Sequence, residues 1–194
     1  MIVNGQPHDD YFVHQMDVED GRHINRLDLF LPLVTSKTVL HVGNVDWPIT
    51  DPNNSLHLQL AQMATRIDGV DPNQKGADAV RVPNGEQFHE WEQLRGKSYD
   101  LILVPEVIEH VDSFRDLFSD LDSVQGPLLI TAPCAWACQS FFEKRGDKWL
   151  EVVHPDHNCR FSPYTLKNTI EKYGKRRVTS MCWINHMSIA AFTL

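Results

Sequence analysis

Two carboxylates and two histidines have the spacing of residues that could act together in chemistry. Glu106, Glu109 and His110 lie at positions i, i+3 and i+4, which places them on one face if this stretch is helical. His157 follows in a later loop. Carboxylate oxygens and imidazole nitrogens can together hold a divalent cation, and an imidazole can also take a proton from a hydroxyl group. The four residues therefore allow either a metal site or metal-free chemistry that uses the two histidines.

The elements that would position these groups begin with one strand–turn–helix–strand unit. An apolar run rich in β-branched residues, Thr38–Val42, predicts a strand, and Gly43 follows it. Residues 55–64 have helical spacing, and residues 66–70 predict a second strand that ends at Asp71. A parallel crossover brings the Gly turn and the acid to the carboxyl edge of the sheet. There an acid can accept hydrogen bonds from ribose hydroxyls, so the unit predicts a nucleoside-bearing cofactor.

The glycine pattern narrows the choice of cofactor. Only Gly43 is present, whereas Val45 and Asp46 stand where a dinucleotide-binding turn would have further glycines. Asp46 would repel a pyrophosphate, which disfavours NAD. S-adenosylmethionine carries no phosphate, and acids can neutralise its sulfonium and ammonium groups. The residues therefore favour S-adenosylmethionine.

Hydrophobic periodicity predicts the remaining elements. Further strands are expected at residues 79–82, 99–104, 128–132, 178–184 and 188–194. Helices are expected at residues 22–34, 86–94, 113–121 and 164–173. Residues 99–104 are continuously apolar, as in a central parallel strand that is buried on both faces. The last two strands should form an antiparallel hairpin at the sheet edge.

Length and composition bound the function. The 194 residues predict a single domain, residues 1–194, in which residues 1–21 form an irregular N-terminal arm. The formal net charge of −8 disfavours nucleic-acid binding, which needs a basic surface. No segment has the length of a membrane span or the pattern of a signal peptide, so a cytoplasmic protein is expected. The four cysteines form no CxxC pair, which favours reduced thiols over a zinc site.

Three strings and the order of elements resemble class I S-adenosylmethionine-dependent methyltransferases. Residues 99–102 with the string EVIEHV at 106–111 resemble the fourth strand of that family and its following turn. Residues 128–133 resemble the fifth strand, and residues 157–174 resemble a late helix. The resemblance implies an α/β, Rossmann-like fold with a seven-stranded, mostly parallel sheet, an antiparallel last strand and helices on both faces. It also implies that residues at about 135–162 form an insertion on the methyl-acceptor side.

The resemblance further implies S-adenosylmethionine as the cofactor, with contacts at Gly43, Asp71, a residue near 81–85 and Glu106. His41, at the end of the first strand, could contact the cofactor or be a buried structural histidine. The residues expected to bind the cofactor are His41, Gly43, Asp71, Pro72, Val82 and Glu106. His110 and His157 are expected to lie near the acceptor as catalytic residues. His41 stands where the family usually has an acid, and the usual run of glycines is reduced to Gly43.

Three hypotheses for function follow. The first is methyl transfer to a small-molecule hydroxyl, for which His154 or His157 could act as the general base. The second is a metal-assisted enzyme, because Glu106, Glu109, His110 and His157 also resemble the metal-dependent methyltransferases that modify the 3′-terminal 2′-hydroxyl of small RNAs. The third is a non-catalytic binding module, because the Gly turn is reduced.

Overall fold

A computed structural model describes residues 2–3, 6–7, 13–46, 52–137 and 142–194. The strands are β1 (Ile2–Val3), β2 (Gln6–Pro7), β3 (Glu19–Gly21), β4 (Thr38–Val42), β5 (Arg66–Val70), β6 (Gln87–Phe88), β7 (Leu101–Pro105), β8 (Leu128–Pro133), β9 (Phe142–Arg145), β10 (Lys148–Glu151), β11 (Val178–Ile184) and β12 (Ser188–Thr193). The α-helices are α1 (Arg26–Val34), α2 (Leu56–Ala61), α3 (Gln74–Ala77), α4 (Phe114–Leu121) and α5 (Pro163–Tyr173). Short 3₁₀ helices span Pro52–Asn54, Asp78–Val80 and Trp91–Leu94.

One sheet of eight strands forms the centre of the molecule, in the order β3-β11-β12-β8-β7-β4-β5-β6. Only β12 is antiparallel to its neighbours, β8 and β11. The α/β, mostly parallel, Rossmann-like sheet with an antiparallel last strand is thus confirmed, with eight strands in place of the seven expected. The hairpin of β11 and β12 does not form the edge, because β3 pairs outside it.

Helices cover both faces of the sheet, as expected. The side chains of β7 alternate between the two faces, so that Ile102 and Val104 pack with α4 and α5. Leu101 and Leu103 pack on the opposite face with α1 and α2. All five residues of β7 are buried, which explains the continuous apolar run that predicts a central strand.

The predicted third strand at residues 79–82 was wrong. Residues Asp78–Val80 form a 3₁₀ helix whose Val80 is buried, and the strand that pairs with β5 is the two-residue β6. The helix predicted at 86–94 was also wrong apart from the 3₁₀ turn Trp91–Leu94. Val80, Phe88 and Leu94 are buried, whereas Ala79 is exposed, and neither segment has helical or strand periodicity over its predicted span.

Residues 13–18 are irregular, but residues 2–3 pair with residues 6–7 as β1 and β2, and residues 19–21 form β3, so the N-terminal segment is not irregular throughout. Helix α1 begins after Asn25, whose side chain accepts a hydrogen bond from the Asp28 N–H, and Pro32 lies inside the helix without ending it. Tyr11 and Phe12 lie outside the described residues, and Met16 lies in irregular chain.

Two of the remaining expectations concern membranes and thiols. Within the described ranges, none of the helices combines the length and the apolar character that crossing a bilayer requires. Cys159 and Cys182 form no disulfide bond with any described residue, and Cys138 lies outside the described residues.

Two histidines meet in the interior, between the sheet and α2. His41 of β4 and His57 of α2 are each only 2% exposed, and their Nδ1 atoms lie 3.2 Å apart. One nitrogen must donate and the other accept, so the pair requires a neutral ring. Burial lowers the pKa of His41 well below its ordinary value, and burial lowers the pKa of His57 to about 4.

Replacing His57 with Gln should flatten the dependence of stability on pH in mild acid. A base whose pKa is lower in the folded protein than in the unfolded chain lets the unfolded chain bind more protons, so stability falls as the pH drops from about 6.5 towards 4. At about 1.4 kcal/mol per pKa unit, His57 accounts for about 3 kcal/mol of this loss. Urea unfolding of the wild type and His57→Gln at several pH values measures the two slopes.

The matched control is His186→Gln, because His186 is exposed in the turn between β11 and β12. The stability of His186→Gln should depend on pH as that of the wild type does. Equal slopes for the wild type and His57→Gln would contradict the burial of a neutral His57.

Candidate functional site

A cleft opens at the carboxyl ends of β4, β5 and β7, with a volume of about 800 Å³. This edge is where a doubly wound sheet binds ligands, because the loops that follow the parallel strands meet there. Six of the residues expected from the sequence line this one cleft, namely His41, Gly43, Asp71, Pro72, Glu106 and His110. Residues far apart in the chain are thus brought together as the topology predicts.

Gly43 forms the turn at the end of β4. Its φ of +66° lies in the left-handed region, and a Cβ there would lie 2.5 Å from Cγ2 of Val107. The Gly43 N–H donates to the carbonyl of Val70 at 2.9 Å. Glycine is therefore required for a close contact between this turn and the loop after β7, which together form the floor of the cleft.

Asp71 follows β5 and holds two loops. One carboxylate oxygen accepts from the Val45 N–H at 3.2 Å, and the other accepts from the Asn73 N–H at 2.8 Å. Asp71 is 8% exposed, and burial raises the pKa of its carboxyl although the two backbone hydrogen bonds oppose the rise. The acid predicted from the sequence therefore faces the cleft and also fixes its shape.

A pair of side-chain amides that the sequence did not indicate lies beneath the Gly turn, where Asn44 is buried and Gln87 is partly buried. Asn44 donates from Nδ2 to Oε1 of Gln87 at 2.8 Å, and Gln87 donates back to Oδ1 of Asn44 at 3.1 Å. Gly69 leaves the room for this pair, because a Cβ there would lie 2.4 Å from Nδ2 of Asn44. The pair joins the turn after β4 to β6, and no local sequence pattern predicts a partner 43 residues away.

Glu106 begins the loop after β7 with an unusual backbone. Its φ of +52° is left-handed, a conformation that costs a non-glycine residue free energy and that tends to occur at functional sites. Its N–H donates to the carbonyl of Thr131 at 2.9 Å. The side-chain Oε1 is buried and has no hydrogen-bond partner among the described residues. Residues 106–110 form turns and no helix, so the condition under which Glu106, Glu109 and His110 would share one helix face is not met.

Glu109 points inward from the same loop. Its side chain is 0% exposed, and neither carboxylate oxygen has a hydrogen-bond partner among the described residues. Burial, and after it the neighbouring charge of Glu106, raises the pKa of Glu109 to about 8. Burying a carboxyl group without hydrogen-bond partners costs free energy, so the position of Glu109 calls for a reason other than the stability of the fold.

Three imidazoles lie beside Glu109. The ring of His110 is 4.6 Å from that of His157 and 5.7 Å from that of His154, measured between centroids. His110 and His154 line the cleft, and His157 lies against both. Burial, followed by the charges of His110 and His154, lowers the pKa of His157. The expected proximity of His110 to His157 is thus found, with His154 as a third member.

Val82 lies elsewhere. It lines a second, smaller pocket of about 320 Å³ together with Arg81, His57 and Gln87, rather than the main cleft. This follows from the absence of the predicted strand at 79–82, which would have carried Val82 to the carboxyl edge of the sheet.

The segment at about 135–162 divides into two parts. Its hairpin of β9 and β10 is exposed, with Trp149 72% accessible. The loop that follows docks on the turn after β7, where the Asn158 N–H donates to the carbonyl of Glu109 at 2.8 Å. This loop carries His154 and His157 to the cleft. Trp136, near the start of this segment, packs against Trp183.

Arg26 was also missed by the sequence analysis. It is the first residue of α1, it lines the cleft, and it is the only lysine or arginine among the described lining residues. Acids on the same cleft include Asp46, Asp71 and Glu106. Helix N-termini favour acidic residues, so a cation in the first turn departs from the usual pattern, and that departure is the one local indication of a role.

No protein-family model matches this sequence, and no curated protein matches it. Solved structures do match. A SAM-dependent methyltransferase from Aquifex aeolicus superposes with a TM-score of 0.63 at 16% identity, covering 88% of this chain and 89% of that one.

Two further solved methyltransferase structures also superpose on this chain. The N-methyltransferase NodS from Bradyrhizobium japonicum gives a TM-score of 0.56 at 14% identity, over 87% of this chain and 93% of the other. Magnesium protoporphyrin IX methyltransferase from Synechocystis with bound SAM gives 0.52 at 14% identity, over 86% and 76%. At such identities the likeness establishes the fold, so this chain has the Rossmann-like fold of S-adenosylmethionine-dependent methyltransferases.

Proposed function

We propose that this protein is an S-adenosylmethionine-dependent methyltransferase that acts on a hydroxyl group of a small molecule. The observation that carries the proposal is the acid-lined cleft at the carboxyl edge of a methyltransferase fold, with Gly43 and Asp71 side by side on its wall. In such a reaction the cofactor supplies the methyl group, and the protein binds and orients the two reactants.

The cofactor end of the cleft lies between the turns after β4 and β5. Asp71 retains lone pairs that can accept hydrogen bonds from ribose hydroxyls, because each of its oxygens accepts only one backbone N–H. Its neighbours Pro72, His41 and Gly43 shape the walls there. Carboxylates suit the cationic sulfonium and ammonium groups of the cofactor, and Arg26 is placed to pair with its carboxylate.

The acceptor end lies beside the loop after β7. Transfer to a hydroxyl requires its proton to leave, and His110 and His157 offer ring nitrogens at this end. The cavity of about 800 Å³ lies near the upper limit for drug-sized ligands, so the cofactor and a small acceptor fit in it together. The net charge of −8 and the acidic cleft disfavour an RNA acceptor, whose phosphates need cations.

Replacing Asp71 with Ala should weaken the binding of S-adenosylmethionine by about 10- to 100-fold. A hydrogen bond to a charged group is worth about 1.5–3 kcal/mol, and the variant also releases the Val45 N–H that shapes the cleft. Isothermal titration calorimetry with S-adenosylmethionine and with S-adenosylhomocysteine measures the change.

Asp147→Ala is the control for this experiment, because Asp147 is an exposed acid in the turn between β9 and β10. It should bind as the wild type does. A wild-type protein that binds neither compound would refute the enzyme and favour the non-catalytic module.

Replacing His110 with Ala should lower turnover without weakening cofactor binding, because His110 lies at the acceptor end of the cleft. Cofactor affinity should stay within about twofold of the wild type, whereas turnover should fall by about 10²-fold or more if the ring assists proton removal. Release of S-adenosylhomocysteine is followed with a panel of small alcohols, small amines and RNA oligonucleotides that carry a free 2′-hydroxyl. Turnover with amines alone would overturn the assignment of the hydroxyl, and turnover with RNA alone would overturn that of the small acceptor.

A further inference from the structure

Three histidines form a cluster at the acceptor end that the general chemistry of methyl transfer does not require. Each of His110, His154 and His157 offers one ring nitrogen, and these three atoms all lie within 4.8 Å of one another. Neutral imidazoles gain little free energy from lying this close together, and charged imidazoles repel one another. Two ligands of a single tetrahedral ion, each about 2.1 Å from it, lie about 3.4 Å apart, so small side-chain rotations would bring the three nitrogens to one ion.

A buried carboxylate faces the same point. Oε1 of Glu109 lies 3.9 Å from Nε2 of His110 and 4.0 Å from Nε2 of His157. Glu109 is 0% exposed, and both of its oxygens lack hydrogen-bond partners among the described residues. Burying a carboxylate in this way is costly unless a cation or hydrogen-bond donors balance it. A bound divalent ion would supply that balance.

The backbone holds these side chains in place. The Asn158 N–H donates to the carbonyl of Glu109 at 2.8 Å, and Asn158 Nδ2 donates to the carbonyl of His110 at 3.3 Å. The His157 N–H donates to the carbonyl of His154 at 3.0 Å. Around His154 Nδ1, the Asp156 N–H lies at 3.3 Å and the Asp156 carboxylate at 4.0 Å. Two loops that are distant in sequence are thus joined at the cluster.

We propose that His110, His154, His157 and Glu109 form a binding site for one divalent first-row transition-metal ion, such as Zn²⁺. Three imidazole nitrogens and one carboxylate oxygen suit this class, whereas Mg²⁺ and Ca²⁺ prefer oxygen ligands alone. His110 and His154 are 36% and 55% exposed at their side chains, so an ion can enter from the cleft and an acceptor can reach it.

The site has a role in catalysis that rests on the proposed function. When bound, the ion would take the oxygen of the acceptor hydroxyl as a fifth ligand and lower its pKa, so that the proton leaves to solvent. His110 and His157 would then act as metal ligands in place of general bases. The oxygen then forms a bond to the methyl carbon while the bond from that carbon to sulfur breaks, and sulfur keeps the electron pair. The products are the methyl ether and S-adenosylhomocysteine.

The test is a Co²⁺ titration of the untagged full-length protein after treatment with a chelator, in the absence of S-adenosylmethionine. We expect visible d–d absorption bands that saturate at one Co²⁺ per chain. Zn²⁺ should abolish the bands at equimolar concentration, and Mg²⁺ in large excess should not. Because the cofactor is absent, the result does not depend on whether the proposed methyltransferase activity exists.

Two variants test the ligands. His154→Ala changes a half-exposed residue and should fold normally, and Glu109→Gln keeps the size of the buried side chain. Each should weaken Co²⁺ binding by about tenfold or more. Matched controls are His23→Ala, an exposed histidine outside the cluster, and Cys159→Ser, which tests a contribution from the nearby thiol. Both controls should bind Co²⁺ as the wild type does.

Three outcomes would overturn the proposal. One is the absence of saturable Co²⁺ binding in the wild type. Another is equal affinity in His154→Ala, Glu109→Gln and the wild type. The third is an intense near-ultraviolet charge-transfer band that disappears in Cys159→Ser, which would assign the ion to a thiolate. Calorimetry with S-adenosylmethionine on the same samples reports separately on the proposed function.

Discussion

The cleft depends on the carboxylate of Asp71, which holds together the ends of two parallel strands. By accepting the Val45 N–H with one oxygen and the Asn73 N–H with the other, it joins the turn after β4 to the loop after β5. Backbone donors at a strand end would otherwise need water. An acid at this place therefore has two roles, since it fixes the wall of the cleft and still offers lone pairs to a ligand.

Strand order then separates the cleft into two chemical halves. Strand β4 lies between β5 and β7 in the sheet, so Asp71 and Glu106 approach the Gly43 turn from opposite sides. Gly43 allows this turn to lie against Val107, whose side chain would collide with any Cβ there. Asp71 thus lies on the β5 side of the Gly43 turn, whereas Glu106 and, beyond it, the three imidazoles lie on the β7 side. A methyl group in transit would cross from one half to the other.

Much of the fold could be predicted from the sequence because long, fully buried strands leave continuous apolar runs. The run in β7 is of this kind, and so is that in β4. The two-residue β6 could not be predicted, because its place depends on backbone pairing with β5 rather than on periodicity. Strand β3 contains two acids and a glycine, and it joins the sheet only because β11 offers an open edge. At residues 79–82 the apolar pattern predicted a strand that does not form, because Val80 is buried from a 3₁₀ helix.

Residues of the cleft could be predicted where the strand order alone brings them together, as at Gly43 and Asp71. They could not be predicted where a loop that is distant in sequence folds back onto the cleft. Glu109 shows the difference. Helical spacing would place it on the same face as Glu106 and His110, but the left-handed backbone at Glu106 starts a non-helical turn that directs Glu109 into the interior. Folding does not require a carboxylate there, because an apolar side chain of similar size would be buried at lower cost. Its place under three imidazoles is therefore better explained by the chemistry of the cleft than by the stability of the fold.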